Sequence, residues 1–83
     1  MAIVLKFYED HTKPIGTATL DGDTFKVTAE TPEGDDFIKS RLVHHHIRLL
    51  DQNGREPTKE EVAREVAAQM PDGKRTWCEL IES

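Results

Sequence analysis

Three consecutive histidines, followed closely by an arginine, are the most distinctive chemical feature of the sequence. His44, His45 and His46 lie between Arg41 and Arg48. At about 100° per residue, a helix through this segment turns His46 toward its apolar side and leaves the other four residues on one exposed side. Arginines bind carboxylate or phosphate with paired hydrogen bonds, and histidines add positive charge below about pH 6.5. The predicted contact surface for an anionic ligand or partner comprises Arg41, His44, His45 and Arg48; the alternative is a solvated face that pairs with nearby carboxylates.

The same histidines are poor candidates for a metal site. Chelation from one helix needs side chains three or four residues apart, whereas adjacent histidines diverge by about 100°. His11 can join them only from a predicted loop, and Cys78 has no second cysteine beside it in the sequence. We therefore expect neither a metal nor another cofactor.

Groups that could act as nucleophiles lack a catalytic context. Nucleophilic catalysis needs a cysteine or serine activated by a neighbouring base. Cys78 falls within a predicted strand, where a buried and inert thiol is usual, and Ser40 belongs to no recognisable motif. The sequence has no glycine-rich phosphate loop, and so short a chain has little room for a closed pocket. We expect a protein that is not an enzyme.

Composition is typical of a small globular protein. The chain has 83 residues, 36% hydrophobic and 33% charged, with a net charge of −5, so we expect one domain over residues 1–83. No apolar run approaches the roughly 20 residues of a membrane span, and the first residues do not resemble a signal peptide. A single cysteine fits a reducing compartment. These features predict a cytoplasmic protein without a membrane partner.

The charge is unevenly distributed along the chain. Residues 37–50 carry three bases and no acid, whereas the rest of the chain carries a net charge of −8, which together give −5. The first predicted helix is therefore a basic segment in an acidic molecule. Such a segment can contact nucleic acid, but phosphate binding usually needs more lysines and arginines on one surface, and an acidic body slows the encounter.

Alternating apolar residues predict strands over residues 2–8, 15–20 and 24–29. The second and third form a hairpin around Gly22, because glycine readily adopts the positive φ of a tight turn. One face of the hairpin is apolar and the other is rich in threonine and lysine, which indicates an antiparallel sheet with one solvated face. Residues 75–82 form a fourth strand whose facing the sequence leaves ambiguous.

Helical spacing and capping residues predict two helices. The first has Thr31 or Asp35 as its N-cap and ends near Gly54. The second begins with the capping box from Thr58 to Glu61 and ends before the proline at position 71. The first helix has a broad apolar arc that we expect to lie on the sheet, formed by Ile38, Leu42, Val43, Ile47, Leu49 and Leu50.

The predicted fold is α+β, in the order β-β-β-α-α-β, with two helices packed on one face of a four-stranded antiparallel sheet. A small chain without visible catalytic chemistry, whose sheet has edges, is expected to be a non-enzymatic protein-interaction module or a subunit of an assembly. It would contact another protein, or a second copy of itself, through the basic helix or a sheet edge. The alternative is a nucleic-acid-associated regulator that uses helix 37–50.

Overall fold

Strands and helices follow one another in the predicted order. The computed structural model describes residues 2–10 and 12–82. The elements are β1 (Ile3–Glu9), β2 (Lys13–Asp21), β3 (Thr24–Ala29), α1 (Pro32–Asn53), α2 (Lys59–Gln69) and β4 (Thr76–Glu82). The predicted α+β architecture is confirmed.

The sheet has the strand order β3-β2-β1-β4, and every neighbouring pair is antiparallel. β1 is therefore central, and β3 and β4 form the edges. In the β1–β4 ladder, Leu5 pairs with Leu80 and Phe7 with Cys78. Because directly paired residues share a face, Cys78 and Leu80 face the helices while Trp77 faces away, which settles the facing of the last strand.

Both helices cover the same face of the sheet. α1 packs over β2 and β3, and α2 packs over β4 and β1, so the helices lie side by side on the sheet. The opposite face carries no described element. The buried hydrophobic core contains Ile3, Leu5, Phe7, Ala18, Ile38, Leu42, Val62, Ala63, Val66, Met70 and Cys78.

Gly16 on β2 allows α1 to approach the sheet closely. A methyl group at this position would lie 2.4 Å from the Thr28 carbonyl oxygen and 2.9 Å from Ile38 Cδ1. Both distances are shorter than a van der Waals contact, and the first involves backbone that cannot rotate away. The helix–sheet spacing at this point therefore depends on the absence of a side chain.

α1 begins and ends at residues that satisfy its terminal backbone groups. Thr31 is the N-cap, and its hydroxyl accepts a 3.0 Å hydrogen bond from the Gly34 N–H. At the other end Gly54 has φ 67°, and its N–H donates to the Leu50 carbonyl at 2.9 Å. A left-handed backbone conformation favours glycine. The predicted end of the first helix near Gly54 is therefore confirmed, and the conformation of Gly54 is its cause.

α2 begins with the predicted capping box. The Glu61 N–H donates to the Thr58 hydroxyl at 3.1 Å, and the Thr58 N–H donates back to the Glu61 carboxylate at 2.9 Å. The Arg55 guanidinium also binds that carboxylate, and together with the Thr58 amide it lowers the pKa of Glu61 to about 2. The carboxylate is thus ionised at neutral pH.

Replacing Thr58 with alanine is expected to lower the free energy of unfolding by about 1 kcal/mol, because it leaves the Glu61 N–H without its acceptor. Thr58→Ser keeps the hydroxyl and is the matched control. Urea denaturation followed by Trp77 fluorescence measures both variants. Equal stability of the alanine variant and the native protein would show that the cap contributes nothing.

The buried face of α1 differs from the predicted one. Ile38 and Leu42 are buried as expected, but Val43, Ile47 and Leu50 are 58%, 57% and 38% exposed. The predicted arc is about half the circumference of the helix, and the sheet covers only one side of it because α1 lies over β2 and the edge strand β3. The helix therefore has a second, exposed apolar stripe.

Candidate functional site

The predicted contact residues do not share one surface. His44 and Arg48 are exposed, and Arg41 is half-buried. His45 is only 1% exposed, whereas His46 is half-buried near the surface. The predicted exposure of His45 and the predicted inward direction of His46 are both wrong, because the buried side of α1 follows the positions of Ile38, Leu42 and His45 instead of the centre of the apolar arc.

His45 is an interior group of the helix layer. Arg41 Nη2 donates a 3.1 Å hydrogen bond to His45 Nε2, so the ring proton is on Nδ1 and the imidazole is neutral. Neither His45 Nδ1 nor Arg41 Nε has a hydrogen-bond partner among the described residues. Burial, and then the positive charge of Arg41, lowers the pKa of His45, while Glu65 on α2 acts in the opposite direction. His45 thus supports the structure, and it cannot itself contact a partner.

His46 connects α1 to the loop that follows it. Its Nε2 lies 3.2 Å from Glu56 Oε1 and 3.3 Å from Glu56 Oε2, which makes an ion pair when the ring is protonated. Because His45 is buried, the predicted basic surface is reduced to His44, Arg48 and part of Arg41. No group of three metal-ligating side chains occurs among residues 2–10 and 12–82, and His11 lies outside the described residues.

An apolar groove lies between α1 and the edge strand β3, and we call it the α1–β3 groove. Its volume is about 610 Å³. Its apolar walls are formed by Phe25, Val27, Leu42, Val43, Ile47 and Val62, and its polar rim by Asp23, Thr24, Lys39, His46 and Lys59. Val43 and Ile47 of the exposed stripe therefore form one wall of a concave surface that continues into apolar side chains of the sheet.

The free edge of β3 presents the backbone groups of alternate residues. The Glu30 N–H donates to the Ile15 carbonyl on β2 at 3.1 Å. The N–H and C=O of one residue point to the same side of an antiparallel strand, and that side alternates along the chain. The backbone groups of Phe25, Val27 and Ala29 therefore point away from β2. In the described part of the chain no strand pairs with β3 on that side.

The walls of the groove match in length. Along α1 the lining runs from Lys39 to Ile47, which is about 12 Å at 1.5 Å per residue. Along the sheet it runs from Asp23 to Val27, which is about 13 Å at 3.3 Å per residue. The groove thus has room for four or five residues of extended chain beside β3.

The open face of the sheet carries an aromatic pair that the sequence analysis missed. Tyr8 on β1 and Trp77 on β4 are directly paired, with ring centroids 4.5 Å apart and planes 18° from parallel. Only the strand order, which is set by long-range pairing, could have revealed this contact. Each ring covers one face of the other, so the pair is a local packing feature of the sheet.

The single cysteine is buried, and its thiol has low reactivity. Cys78 is 5% exposed, on the helix-facing side of β4. Burial, with a smaller contribution from Glu79, raises the pKa of the Cys78 thiol to about 12. Because the thiolate is the reactive form, this thiol is a poor nucleophile at neutral pH.

No known protein family, curated protein or solved structure matches this chain. Within the described residues, neither helix is both long and apolar enough to cross a membrane.

Proposed function

We propose that this protein is a non-enzymatic interaction module, or a subunit of a larger assembly, in the cytoplasm, and that it binds another protein through the α1–β3 groove. The observation that carries the proposal is the exposed stripe of Val43, Ile47 and Leu50 beside an unpaired sheet edge. Single exposed apolar residues are ordinary, but a continuous apolar surface in a concave groove is typical of a binding site.

The energetics of the stripe favour a bound partner. Covering an exposed valine or isoleucine stabilises a complex by about 25 cal/mol per Å² of apolar surface removed from water. Val43 and Ile47 are each more than half exposed, and Phe25 and Val27 continue the surface across the groove. The surface can thus provide the apolar centre that protein interfaces commonly have.

A binding role is also supported by the chemistry of the groove. Its walls are apolar, and its titratable groups lie at the rim. The ring of His46 is engaged with Glu56, and the thiol of Cys78 is protonated and buried in the core. These side chains are suited to holding a partner in place and not to moving protons or electrons on a substrate.

Replacing Ile47 with aspartate is expected to abolish partner binding, because it places a carboxylate at the centre of the apolar stripe. The experiment compares native protein, Ile47→Asp and Arg48→Glu after crosslinking in the cells that produce the protein, with quantitative mass spectrometry. Arg48→Glu is the matched control, since it changes charge at the adjacent exposed position outside the groove. We expect at least a tenfold loss of crosslinked partner in Ile47→Asp alone.

Equal recovery of partners by Ile47→Asp and native protein would contradict the proposed binding surface. Both variants are checked by circular dichroism and thermal melting, so a loss caused by unfolding is recognised. Ile47 is 57% exposed, and its replacement is therefore expected to leave the core intact.

The alternative of a nucleic-acid-associated regulator rests on the exposed positive charge of helix 37–50. His44 and Arg48 remain on the surface, one turn of α1 apart. Arg41 is unsuitable for charge reversal, because its guanidinium is hydrogen-bonded to the buried His45. The double variant His44→Glu, Arg48→Glu tests this alternative without disturbing the core.

We expect the His44→Glu, Arg48→Glu variant to keep its protein partner and its stability. Native protein is also titrated with a fluorescent single-stranded and a double-stranded oligonucleotide at low and high salt. Binding that falls steeply with added salt and disappears in the double variant would favour the nucleic-acid alternative.

A further inference from the structure

We infer that the α1–β3 groove binds an extended segment of a partner protein, which adds to β3 as a fifth strand and alternates apolar side chains toward α1 with acidic side chains toward Lys26. This inference rests on the proposed function and specifies the partner's chemistry. Strand addition of this kind obtains affinity from main-chain hydrogen bonds and specificity from alternate side chains.

The backbone of β3 is arranged to accept a strand. The outward N–H and C=O groups belong to Phe25, Val27 and Ala29. A residue paired with one of these three has its side chain on the same face, which is the helix-facing side. The side chains opposite Phe25 and Val27 would therefore enter the groove beside Val43 and Ile47 on α1. The intervening side chains would lie on the open face of the sheet.

The charges around the groove favour acidic residues in the occupant. Lys26 is exposed on the open face of β3, between Phe25 and Val27, whose backbone groups point away from β2. Lys59 is half-buried at the rim and has no ion-pair partner among the residues that the structure describes, whereas Lys39 pairs with Asp35 at 2.9 Å. Asp23 is the single acid of the lining, so Lys59 at the rim and Lys26 on the adjacent face of β3 are the cations with which an acidic occupant can pair.

A second copy of the chain is a poorer occupant of the same edge. Symmetric antiparallel pairing of two β3 strands about Lys26 places the two lysines opposite each other, and pairing about Val27 places Lys26 opposite Thr28. These registers keep most of the strand paired, and neither gives Lys26 a carboxylate. A lysine in the middle of an edge strand disfavours such self-association, and it selects a partner with an acid at that position.

The test uses the synthetic peptide Thr-Val-Glu-Val-Glu-Val-Thr and the full-length protein. In the antiparallel register the three valines oppose Ala29, Val27 and Phe25, and the two glutamates oppose Thr28 and Lys26. Two control peptides differ by glutamate-to-lysine replacement and by N-methylation of the central valine, which removes its hydrogen-bond donor. Binding is measured by calorimetry and by amide hydrogen exchange.

We expect saturable binding of the glutamate peptide, at least tenfold weaker binding of both control peptides, and slower exchange of the Phe25, Val27 and Ala29 amides in the complex. Ile47→Asp and Lys26→Glu are each expected to weaken binding at least tenfold. Lys6→Glu is the matched control, because Lys6 is exposed on the same open face but lies on the central strand β1. It is expected to bind the peptide within about twofold of native protein.

Three results would overturn the inference. The first is no saturable binding of the glutamate peptide at about 1 mM, a level at which even weak complexes form. The second is binding that perturbs α1 without protecting the β3 amides, which indicates a helical occupant. The third is a dimer of the native protein in sedimentation equilibrium that Ile47→Asp dissociates, which indicates a second copy in the groove.

The outcomes for the peptide and for the crosslinked partner are separable. If the peptide fails while Ile47→Asp still loses its crosslinked protein, the strand-addition inference is wrong and the proposed function remains. If Ile47→Asp keeps its crosslinked protein, the proposed function is wrong as well.

Discussion

Replacing Gly16 with alanine is expected to lower the free energy of unfolding by about 3 kcal/mol or more, the largest effect expected from adding a methyl group at any glycine of the chain. The added carbon would lie 2.4 Å from the Thr28 carbonyl oxygen and 2.8 Å from Ala29 Cα. Relief requires β2 to separate from β3 or α1 to rise from the sheet, and either movement loses packing around Ile38. Urea denaturation followed by Trp77 fluorescence measures the change.

Gly22→Ala is the control for the Gly16 variant. Gly22 has φ 65° in the hairpin turn, and nothing lies within 4 Å of the position that a methyl group would take. Its replacement therefore introduces backbone strain of about 1 kcal/mol without a clash. A Gly16→Ala variant at least as stable as Gly22→Ala would contradict the close packing of Gly16 against β3 and Ile38.

The second large effect is a loss of stability on acidification through His45. Its pKa in the folded protein is lowered from 6.5 by burial and by Arg41. As the pH falls below about 6.5, the unfolded chain takes up a proton at this ring and the folded protein does not. Stability is therefore complete above this pH and declines below it, by at most about 1.4 kcal/mol per pH unit, until the folded-state pKa is reached.

The surroundings of His45 determine how strongly it responds to pH. On its own helix it is near the positive groups Arg41 and Arg48 and the ring of His44, and from α2 the carboxylate of Glu65 faces it. Among the charged groups of the described residues, Glu65 alone favours the protonated ring. The groups around His45 thus oppose a positive charge on its ring more than they favour it.

His45→Gln is expected to flatten the dependence of unfolding free energy on pH between about 7 and 5.5, because glutamine does not titrate. His44→Gln is the matched control, since that ring is exposed on the adjacent position of α1. Chemical denaturation at several pH values measures both slopes. A slope unchanged by His45→Gln would show that the ring does not couple protonation to folding.

The elements of this fold are predictable because their signals are local. The capping box from Thr58 to Glu61 and the left-handed Gly54 fix helix ends within a few residues of chain. The β2–β3 hairpin is likewise determined by alternation on either side of Gly22. In each case the residues that decide the structure are neighbours in the sequence.

The direction of α1 was not predictable from its own residues. Ile38, Leu42 and Leu49 compete with Val43 and Ile47 for the sheet, and both sets are equally apolar. The choice is made by distant partners: Gly34 lies against Ile15 and Ile38 lies over Gly16. A helical wheel does not contain these contacts, and so it places His45 on the exposed side although the ring is buried.

The candidate site shows the same limit. The sequence identifies the positive charge around Arg41 and Arg48, since charge can be counted along the chain. It does not identify the α1–β3 groove, because the groove exists only if β3 is an edge strand and α1 lies beside it. Strand order depends on the pairing of β1 with β4, which no local pattern encodes.

The pairing of β1 with β4 also determines the order in which the chain can fold. Ile3 pairs with Glu82 and Glu9 with Thr76, so this ladder closes nearly the whole described chain into one loop, and closing a long loop is entropically slow. During synthesis the hairpin and both helices can form while the edge of β1 that pairs with β4 is still unpaired. We expect docking of β4 to be the step that completes the core, and until it occurs the central strand of the native sheet has one unpaired edge.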